Sequence, residues 1–146
     1  MRDLPRELSV EELEELFEGH NRLVEELAAT ENPLERADDV LETLTHEDKV
    51  EALNAHPAIG ARSGLSARST AEQGEDAEPA ILSELSYLNQ VYEEKFGFRF
   101  VVFVAGRPKR EILEVLRGRI GNTEEQELDT GCRELVAIAR DRWEKG

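Results

Sequence analysis

The sequence predicts an all-α protein: a single-domain multi-helix bundle over residues 1–146, with one extended, β-like segment near residues 98–105. Two observations favour helices. Apolar residues recur at intervals of three and four along most of the chain, and capping boxes of the Ser/Thr-x-x-Glu/Gln type occur at residues 9–12 and 123–126. A third observation limits the strand content, because only FRFVVFVA strongly combines β-branched and aromatic residues in one run.

The first part of the chain predicts three helices. The first follows the capping box at residue 9, and its apolar stripe is Leu13, Leu16, Phe17, His20, Leu23, Val24 and Leu27. The second helix is predicted over residues 33–44, because proline favours the first turn of a helix. Thr45 can cap the third, over residues 47–55, which must end there because Pro57 disfavours helical geometry in the residue before it.

The middle of the chain predicts a loop and then helices. Residues 58–69 are rich in Gly, Ser and Arg, which favours a loop. A helix is expected to begin near Ser69 or Thr70 and to be interrupted around residues 74–79. Another is expected over residues 79–96, where Gly97 ends it.

The 98–105 segment has no obvious partner strand, and a lone strand cannot satisfy its own backbone hydrogen bonds. It therefore either crosses the core as a poorly paired extended segment or is helical despite its composition. We interpret it chiefly as core, and also as a candidate ligand-binding wall that offers backbone N–H and C=O groups.

After a break at Gly106-Arg107-Pro108, the pattern predicts a helix to Ile120 and a final helix behind the second capping box. The final helix carries its apolar residues on one face: Leu128, Cys132, Leu135, Ala139 and Trp143. The acidic clusters at residues 11–18 and 124–127 are interpreted as solvated helix faces. Cys132, the only cysteine, is interpreted as a small core residue.

Composition excludes several functional classes. The net charge of −15 disfavours a nucleic-acid partner, and no apolar run approaches the roughly 20 residues that span a bilayer. The acidic N-terminal stretch lacks the apolar core of a signal peptide, so the expected location is cytoplasmic. Only four of the 18 basic residues are lysine. This acidic, arginine-rich composition supports a hypothesis of adaptation to high salt, whose alternative is an ordinary acidic cytoplasmic protein.

Among the three histidines, His56 is the candidate for catalysis. It stands at a helix end directly before a proline, where the backbone fixes its ring, and histidine is well suited to carry a proton near neutral pH. A structural role as the cation at a helix C-terminus is its alternative. His20 lies in an apolar stripe and is expected in or near the core, whereas His46 is expected to be exposed.

The cluster Ser69-x-x-Glu72-Gln73 has the spacing of a capping box, which is sufficient to explain it structurally. It also supplies a carboxylate and an amide close to His56 in the chain. The sequence has no phosphate-binding glycine loop, no His-x-x-x-His pair and no nucleophile elbow, so metal-dependent and nucleotide-dependent enzymes are disfavoured.

Six motifs in order resemble the decarboxylases of 2-oxo-4-hydroxy-4-carboxy-5-ureidoimidazoline (OHCU), over nearly the whole chain. They are His56-Pro57-x-Ile59-Gly60-x-Arg62, Ser69-x-x-Glu72-Gln73, Phe96-Gly97-Phe98-x-Phe100-Val101-Val102, Gly106-Arg107-x-x-x-Glu111-Ile112-Leu113, Arg119-x-Gly121-Asn122-x-x-x-x-Glu127 and Ile138-Ala139-Arg140-x-Arg142. The resemblance implies an all-α fold, often a homodimer, that converts OHCU to (S)-allantoin and carbon dioxide in urate degradation without a cofactor or metal.

The resemblance also implies the site. His56 would be the catalytic proton donor, and Glu72 would act beside it, either on the substrate or on the tautomer of His56. The other residues would bind the ureidoimidazoline: Pro57, Ser69, Gln73, Phe100, Val101, Val102, Phe103, Val104 and Arg142. Two alternatives stay open, a non-catalytic interaction module of the same fold and a related lyase acting on another small ureide.

Overall fold

The computed structural model describes residues 3–56 and 79–145, and within these residues all regular structure is helical. The helices of this part are α1 (Val10–Phe17), α2 (Arg22–Ala28), α3 (Ala37–Thr43), α4 (His46–Ala55), α5 (Pro79–Phe96), α6 (Lys109–Ile120) and α7 (Glu124–Lys145). The all-α prediction is confirmed. The loop predicted over 58–69 and the helix predicted near 69–78 lie outside the described residues. None of the helices described is long and apolar enough to cross a membrane.

Three helices begin where side-chain caps predicted them. Ser9 accepts from the backbone N–H of Glu12, and the Glu12 side chain accepts from the backbone N–H of Ser9. Thr45 caps α4 by accepting from the backbone N–H of Asp48. Thr123 forms the reciprocal pair with Gln126 ahead of α7. In each case a local side chain satisfies a backbone donor that the helix leaves unpaired.

The first predicted helix is two helices, so that prediction was wrong about residues 18–21. Glu18 adopts a left-handed conformation with φ of 64°, which an α-helix cannot pass through. Asn21 then caps α2 by accepting from the backbone N–H of Val24. His20 falls in the break and is exposed, where its two ring nitrogens meet Glu14 and Glu25. The prediction that His20 lies in or near the core is therefore wrong.

The helix predicted from Pro33 begins later, at Ala37. Asn32 has a left-handed φ of 57°, and a turn follows in which the N–H of Arg36 donates to the carbonyl of Asn32. Arg36 itself has φ of −95° and ψ of 9°, outside the helical range, so the regular helix starts only after it.

The long C-terminal helix α7 packs against α1, α3 and α4, while α5 packs against α6. Gly131 permits the approach of α4 to α7: a Cβ atom at this position would lie 3.1 Å from Cδ2 of Leu53. The buried face of α7 includes most of the predicted apolar residues: Leu128, Cys132, Leu135 and Ala139. His56, which follows α4, is close enough to Arg142 of α7 for the charge of Arg142 to act on its protonation.

The 98–105 segment is neither helix nor strand in this structure, so its helical alternative is wrong. Gly97, with φ of 80°, ends α5 as predicted. The segment then runs through the core with Phe98, Phe100, Val101, Val102 and Val104 buried. Its two buried phenylalanines pack on Tyr92 of α5, with ring centroids 6.0 and 5.3 Å from that of Tyr92. The core role of the segment is confirmed.

Candidate active site

The structure describes some of the predicted site residues and not others. His56, the residues of the proposed wall from Phe100 to Val104, and Arg142 are described. The remaining predicted site residues lie outside the described part of the chain: Pro57, Ser69, Glu72 and Gln73.

His56 follows the last residue of α4, and its backbone N–H donates to the carbonyl of Leu53. Its ψ of 139° is extended, as expected for a residue before proline. The side chain is buried, and its Nδ1 atom has no hydrogen-bond partner among the residues that the structure describes. Since buried polar atoms are nearly always paired in native proteins, this nitrogen is a candidate for contact with a ligand.

Burial and positive charge both act on the protonation of His56. Burial is the larger cause, and with the guanidinium groups of Arg142 and Arg99 it lowers the pKa of His56 to about 4, against the opposing carboxylate of Glu18. The imidazole is therefore neutral at neutral pH in the unliganded protein. We call His56, Arg142, Arg99 and Glu18 the His56 corner.

Arg142 contributes to the His56 corner from α7, and it is 1% exposed. Its Nη1 donates to the carbonyl of Leu16 at 3.0 Å and lies 3.1 Å from Oε1 of Glu18. Leu16 is in the last turn of α1, where carbonyl groups lack helical partners and attract a cation. Arg142 thus joins α7 to the end of α1 and brings a positive charge close to His56.

The proposed wall is held by side chains in place of a partner strand. The carbonyl of Val101 accepts from Nη1 of Arg119 at 2.7 Å, and the N–H of Phe103 donates to Glu134 at 3.2 Å. Arg107 donates to the carbonyls of Phe103 and Val104. These contacts supply polar partners to a backbone that crosses the core without a sheet.

A second group of polar residues, which we call the Glu127 cluster, consists of the buried Tyr92, Arg119 and Glu127 and the half-buried Asn122. Oε1 of Glu127 accepts from the hydroxyl of Tyr92 at 2.7 Å and from Nε of Arg119 at 2.8 Å. Oε2 accepts from the side-chain amide of Asn122, also at 2.8 Å. The guanidinium of Arg119 also lies 4.6 Å from the ring centroid of Phe100. The cluster thus anchors the wall to α5, α6 and α7.

The sequence interpretation noted Arg119, Asn122 and Glu127 within one motif but missed that they meet inside the protein, because the acidic run at residues 124–127 was taken as a solvated face. Glu127 is fully buried, so the interpretation is wrong at that position. A signal was present in the periodicity: Glu127, Gly131, Leu135, Ile138 and Arg142 follow one another at intervals of four and three, on one stripe of α7. Two charged residues on a buried stripe indicate paired charges inside the protein.

Neither a metal centre nor a reactive thiol is found in this part of the molecule. Within residues 3–56 and 79–145, no three His, Cys, Asp or Glu side chains are grouped so that they could hold a metal ion. Cys132 is buried, and burial raises the pKa of its thiol to about 12. The prediction that Cys132 is a core residue is confirmed, and its thiol is protonated at neutral pH.

The chain was compared with known protein families and structures. The family model of OHCU decarboxylase matches residues 2–144. An OHCU decarboxylase of Haloferax volcanii is 31% identical over 140 residues, which cover 88% of this chain and 82% of that protein. A uric acid degradation bifunctional protein of Arabidopsis thaliana is 35% identical over 109 residues, covering 67% of this chain and 33% of that protein.

Among solved structures, the chain is similar to a crystal structure of an OHCU decarboxylase in the presence of (S)-allantoin. The two share 25% sequence identity and superimpose with a TM-score of 0.74. The match covers 92% of this chain and 96% of the other. The similarity therefore extends over nearly the full length of both proteins.

Proposed function

The chain belongs to the OHCU decarboxylase family, and from this premise we propose that it converts OHCU to (S)-allantoin and carbon dioxide in urate degradation. The observation that carries the proposal is His56, a buried imidazole at the end of α4 beside Arg142. Its Nδ1 has no partner among the described residues. The same residue was singled out by its position in the sequence and by the resemblance to the family.

The reaction breaks the bond between a ring carbon and the carboxylate. The electron pair of that bond forms a double bond between ring carbons 4 and 5 as the neighbouring ring C=N takes up the negative charge, and carbon dioxide leaves an enolate-type anion that carries the 4-hydroxyl. Carbon 4 then becomes a carbonyl as its hydroxyl proton passes to the ring nitrogen, and carbon 5, which carries the ureido group, takes up one proton. Because the substrate holds its own electron sink, the protein contributes orientation, stabilisation of the developing negative charge, and a proton delivered to one face.

The charges of the His56 corner suggest how His56 acquires that proton. Burial and two arginines keep the unliganded imidazole neutral. A bound substrate carboxylate adds a negative charge that offsets the arginines, and it thereby raises the pKa of His56. The imidazole then takes a proton from solvent and passes it to the ring carbon after carbon dioxide has left. In this proposal Arg142 stabilises the anionic substrate and the enolate.

The remaining roles in the proposal come from the resemblance to the family. Glu72 is proposed to act beside His56, and the substrate is proposed to be bound by Pro57, Ser69, Gln73, Arg142 and the wall residues Phe100, Val101, Val102, Phe103 and Val104. A homodimer, which the resemblance implies, stays a prediction, as do a cytoplasmic location and adaptation to high salt, which the sequence composition favours.

The test is a stereochemical assay. OHCU is generated freshly in solution, and the formation of optically active allantoin is followed by circular dichroism with and without the protein, at low and at high salt. We expect rapid formation of the S enantiomer with the wild-type protein. Decay to racemic allantoin at the uncatalysed rate would contradict the proposed function and favour the interaction module.

The role of His56 is tested with His56→Gln, and His20→Gln serves as the matched control because His20 is an exposed histidine. General acid catalysis typically contributes about 10²- to 10⁴-fold, so we expect a loss of that order for His56→Gln and none for His20→Gln. A His56→Gln protein with full stereoselective activity would contradict the proton-donor role and leave the function standing.

A further inference from the structure

Arg99 makes two hydrogen bonds to the end of α4. Its backbone N–H donates to Oδ1 of Asn54 at 3.0 Å, and its Nη1 donates to the carbonyl of His56 at 2.6 Å. Nε of Arg99 lies 3.6 Å from a carboxylate oxygen of Glu93, which holds the guanidinium from its other side. Arg99 therefore connects α5, the last turn of α4 and the beginning of the 98–105 segment.

These contacts restrain the backbone that carries the imidazole. The carbonyl of His56 lies past the last residue of α4, where helical partners are absent, so a guanidinium is a suitable donor there. One bond uses the backbone of Arg99 and the other its side chain, and the two acceptors are two residues apart in sequence. Two attachment points resist rotation of the helix end more effectively than a single contact.

We propose that Arg99 and Asn54 are positioning residues for His56, which lock the helix end carrying the imidazole to the wall segment on which the substrate is proposed to lie. This inference rests on the proposed decarboxylase function. Neither residue belongs to the site that the sequence predicted. Both hydrogen bonds join residues more than 40 positions apart, so local sequence patterns carry no sign of them.

Arg99 also acts on His56 through its charge. The charged groups that face His56 are Arg142 from α7, Glu18 from the end of α1, and Arg99. Arg99 and Arg142 both disfavour the protonated imidazole, whereas Glu18 favours it. Removing the charge of Arg99 is therefore expected to raise the pKa of His56, a change that a merely structural contact would not produce.

The test compares Arg99→Ala, Arg99→Lys and Asn54→Ala with Arg117→Ala. Arg117 is a matched control because it is an exposed arginine, paired with Glu84 and Glu114 far along the chain from the site. We expect Arg99→Ala to lower kcat by about 10- to 100-fold with a smaller change in KM, since misplacing a catalytic group by about 1 Å can cost about 10²-fold. Asn54→Ala should also lower kcat, whereas Arg117→Ala should leave kcat unchanged.

Titration by NMR separates positioning from general stability. The His56 resonance is assigned by its loss in His56→Gln, and its pKa is measured in each variant. We expect a higher pKa in Arg99→Ala, and values close to wild type in Arg99→Lys and Asn54→Ala, which keep a positive charge at residue 99. Arg99→Lys should thus retain the pKa and still lose part of kcat, because an ammonium does not reproduce the guanidinium geometry.

The outcomes are distinguishable. An active wild-type protein whose Arg99→Ala and Asn54→Ala variants keep full kcat would overturn the positioning role. If the denaturation midpoint of Arg99→Ala lies far below that of Arg117→Ala, the loss of kcat in Arg99→Ala is assigned to unfolding. A loss of kcat in Asn54→Ala at a normal midpoint would still support the positioning role. An inactive wild-type protein would overturn the proposed function. The titration would then decide the inference about Arg99, and an unchanged His56 pKa in Arg99→Ala would overturn that inference.

Discussion

In the described part of the chain, two arginine–glutamate pairs each contain a buried arginine, and they differ in the groups that surround them. In the Glu127 cluster, both carboxylate oxygens accept hydrogen bonds from neighbouring side chains. In the His56 corner, Arg142 and Glu18 pair beside an imidazole whose Nδ1 has no partner among the described residues. The first arrangement pairs its carboxylate fully and suits a structural anchor, although Nη2 of Arg119 also has no partner among the described residues. In the second, the unpartnered atom belongs to an imidazole, which can carry a proton.

The Glu127 cluster and the His56 corner contribute differently to the stability of the fold. A buried carboxylate is costly unless its oxygens are hydrogen-bonded, and Glu127 meets that condition from three side chains. A buried imidazole that is kept neutral costs stability only at pH values where the unfolded chain would bind a proton on it. Removing groups from the two sites should therefore affect stability in different ways.

The largest effect is expected from breaking the Glu127 cluster with Glu127→Ala. This change leaves the charge of Arg119 buried without its carboxylate, which typically destabilises a protein by roughly 3–5 kcal/mol. Urea denaturation at neutral pH measures the loss. Glu124→Ala is the control, since Glu124 is exposed in the same helix turn and its pairing with His46 lies at the surface. This change should cost less than about 1 kcal/mol. Equal losses in the two variants would contradict the anchoring role.

The second effect concerns the dependence of stability on pH. The pKa of His56 is about 4 in the folded protein and about 6.5 when unfolded. Between these values the unfolded state binds the proton and the folded state does not. The stability that depends on a neutral His56 is therefore fully present above pH 6.5 and is lost as the pH falls to 4. At 1.36 kcal/mol for each pH unit, it amounts to about 3 kcal/mol.

A His56→Gln variant lacks this titration, so its free energy of unfolding should fall less than that of the wild type between pH 7 and pH 4. Urea denaturation at several pH values measures the difference. His20→Gln should behave oppositely, because hydrogen bonds to Glu25 and Glu14 raise the pKa of His20 and stabilise the protein at low pH. Parallel pH profiles for His56→Gln and the wild type would show that His56 is not held neutral by the fold.

The smallest effect is expected from Tyr92→Phe, which removes one donor from Glu127 and keeps the aromatic packing. A hydrogen bond to a charged group contributes about 1.5 kcal/mol at the low end, and Arg119 and Asn122 still bind the carboxylate in this variant. We expect a loss near that value in urea denaturation and kcat unchanged in the allantoin assay. A loss as large as that of Glu127→Ala would show that Tyr92 holds the cluster together.

Helix ends governed by neighbouring residues could be predicted from the sequence. Ser9, Thr45 and Thr123 cap helices at the predicted places, and Gly97 ends α5 where expected. The break between α1 and α2 was also signalled locally, by Gly19-His20-Asn21, although the apolar stripe concealed it. In these cases the deciding contact joins residues three or four positions apart.

The candidate site was predictable only in part. His56 was identified because a proline follows it, which is local information. The burial of Glu127 was missed because Glu127 pairs with Tyr92, which is 35 positions away. The contact of Arg142 with the carbonyl of Leu16 spans 126 positions, which is equally beyond local patterns. Whether a charged residue on a helix faces solvent or a partner is decided by which helix packs over it.

Local chemistry therefore accounts for the all-α class, most helix boundaries and the choice of His56. The pairing of charges inside the core, the support of the 98–105 segment by side chains and the contact of Arg99 with the end of α4 arose only when distant parts of the chain packed together. The physical reason is that backbone propensity and capping act over a few residues, while the free energy of a buried charge depends on partners that the fold brings to it.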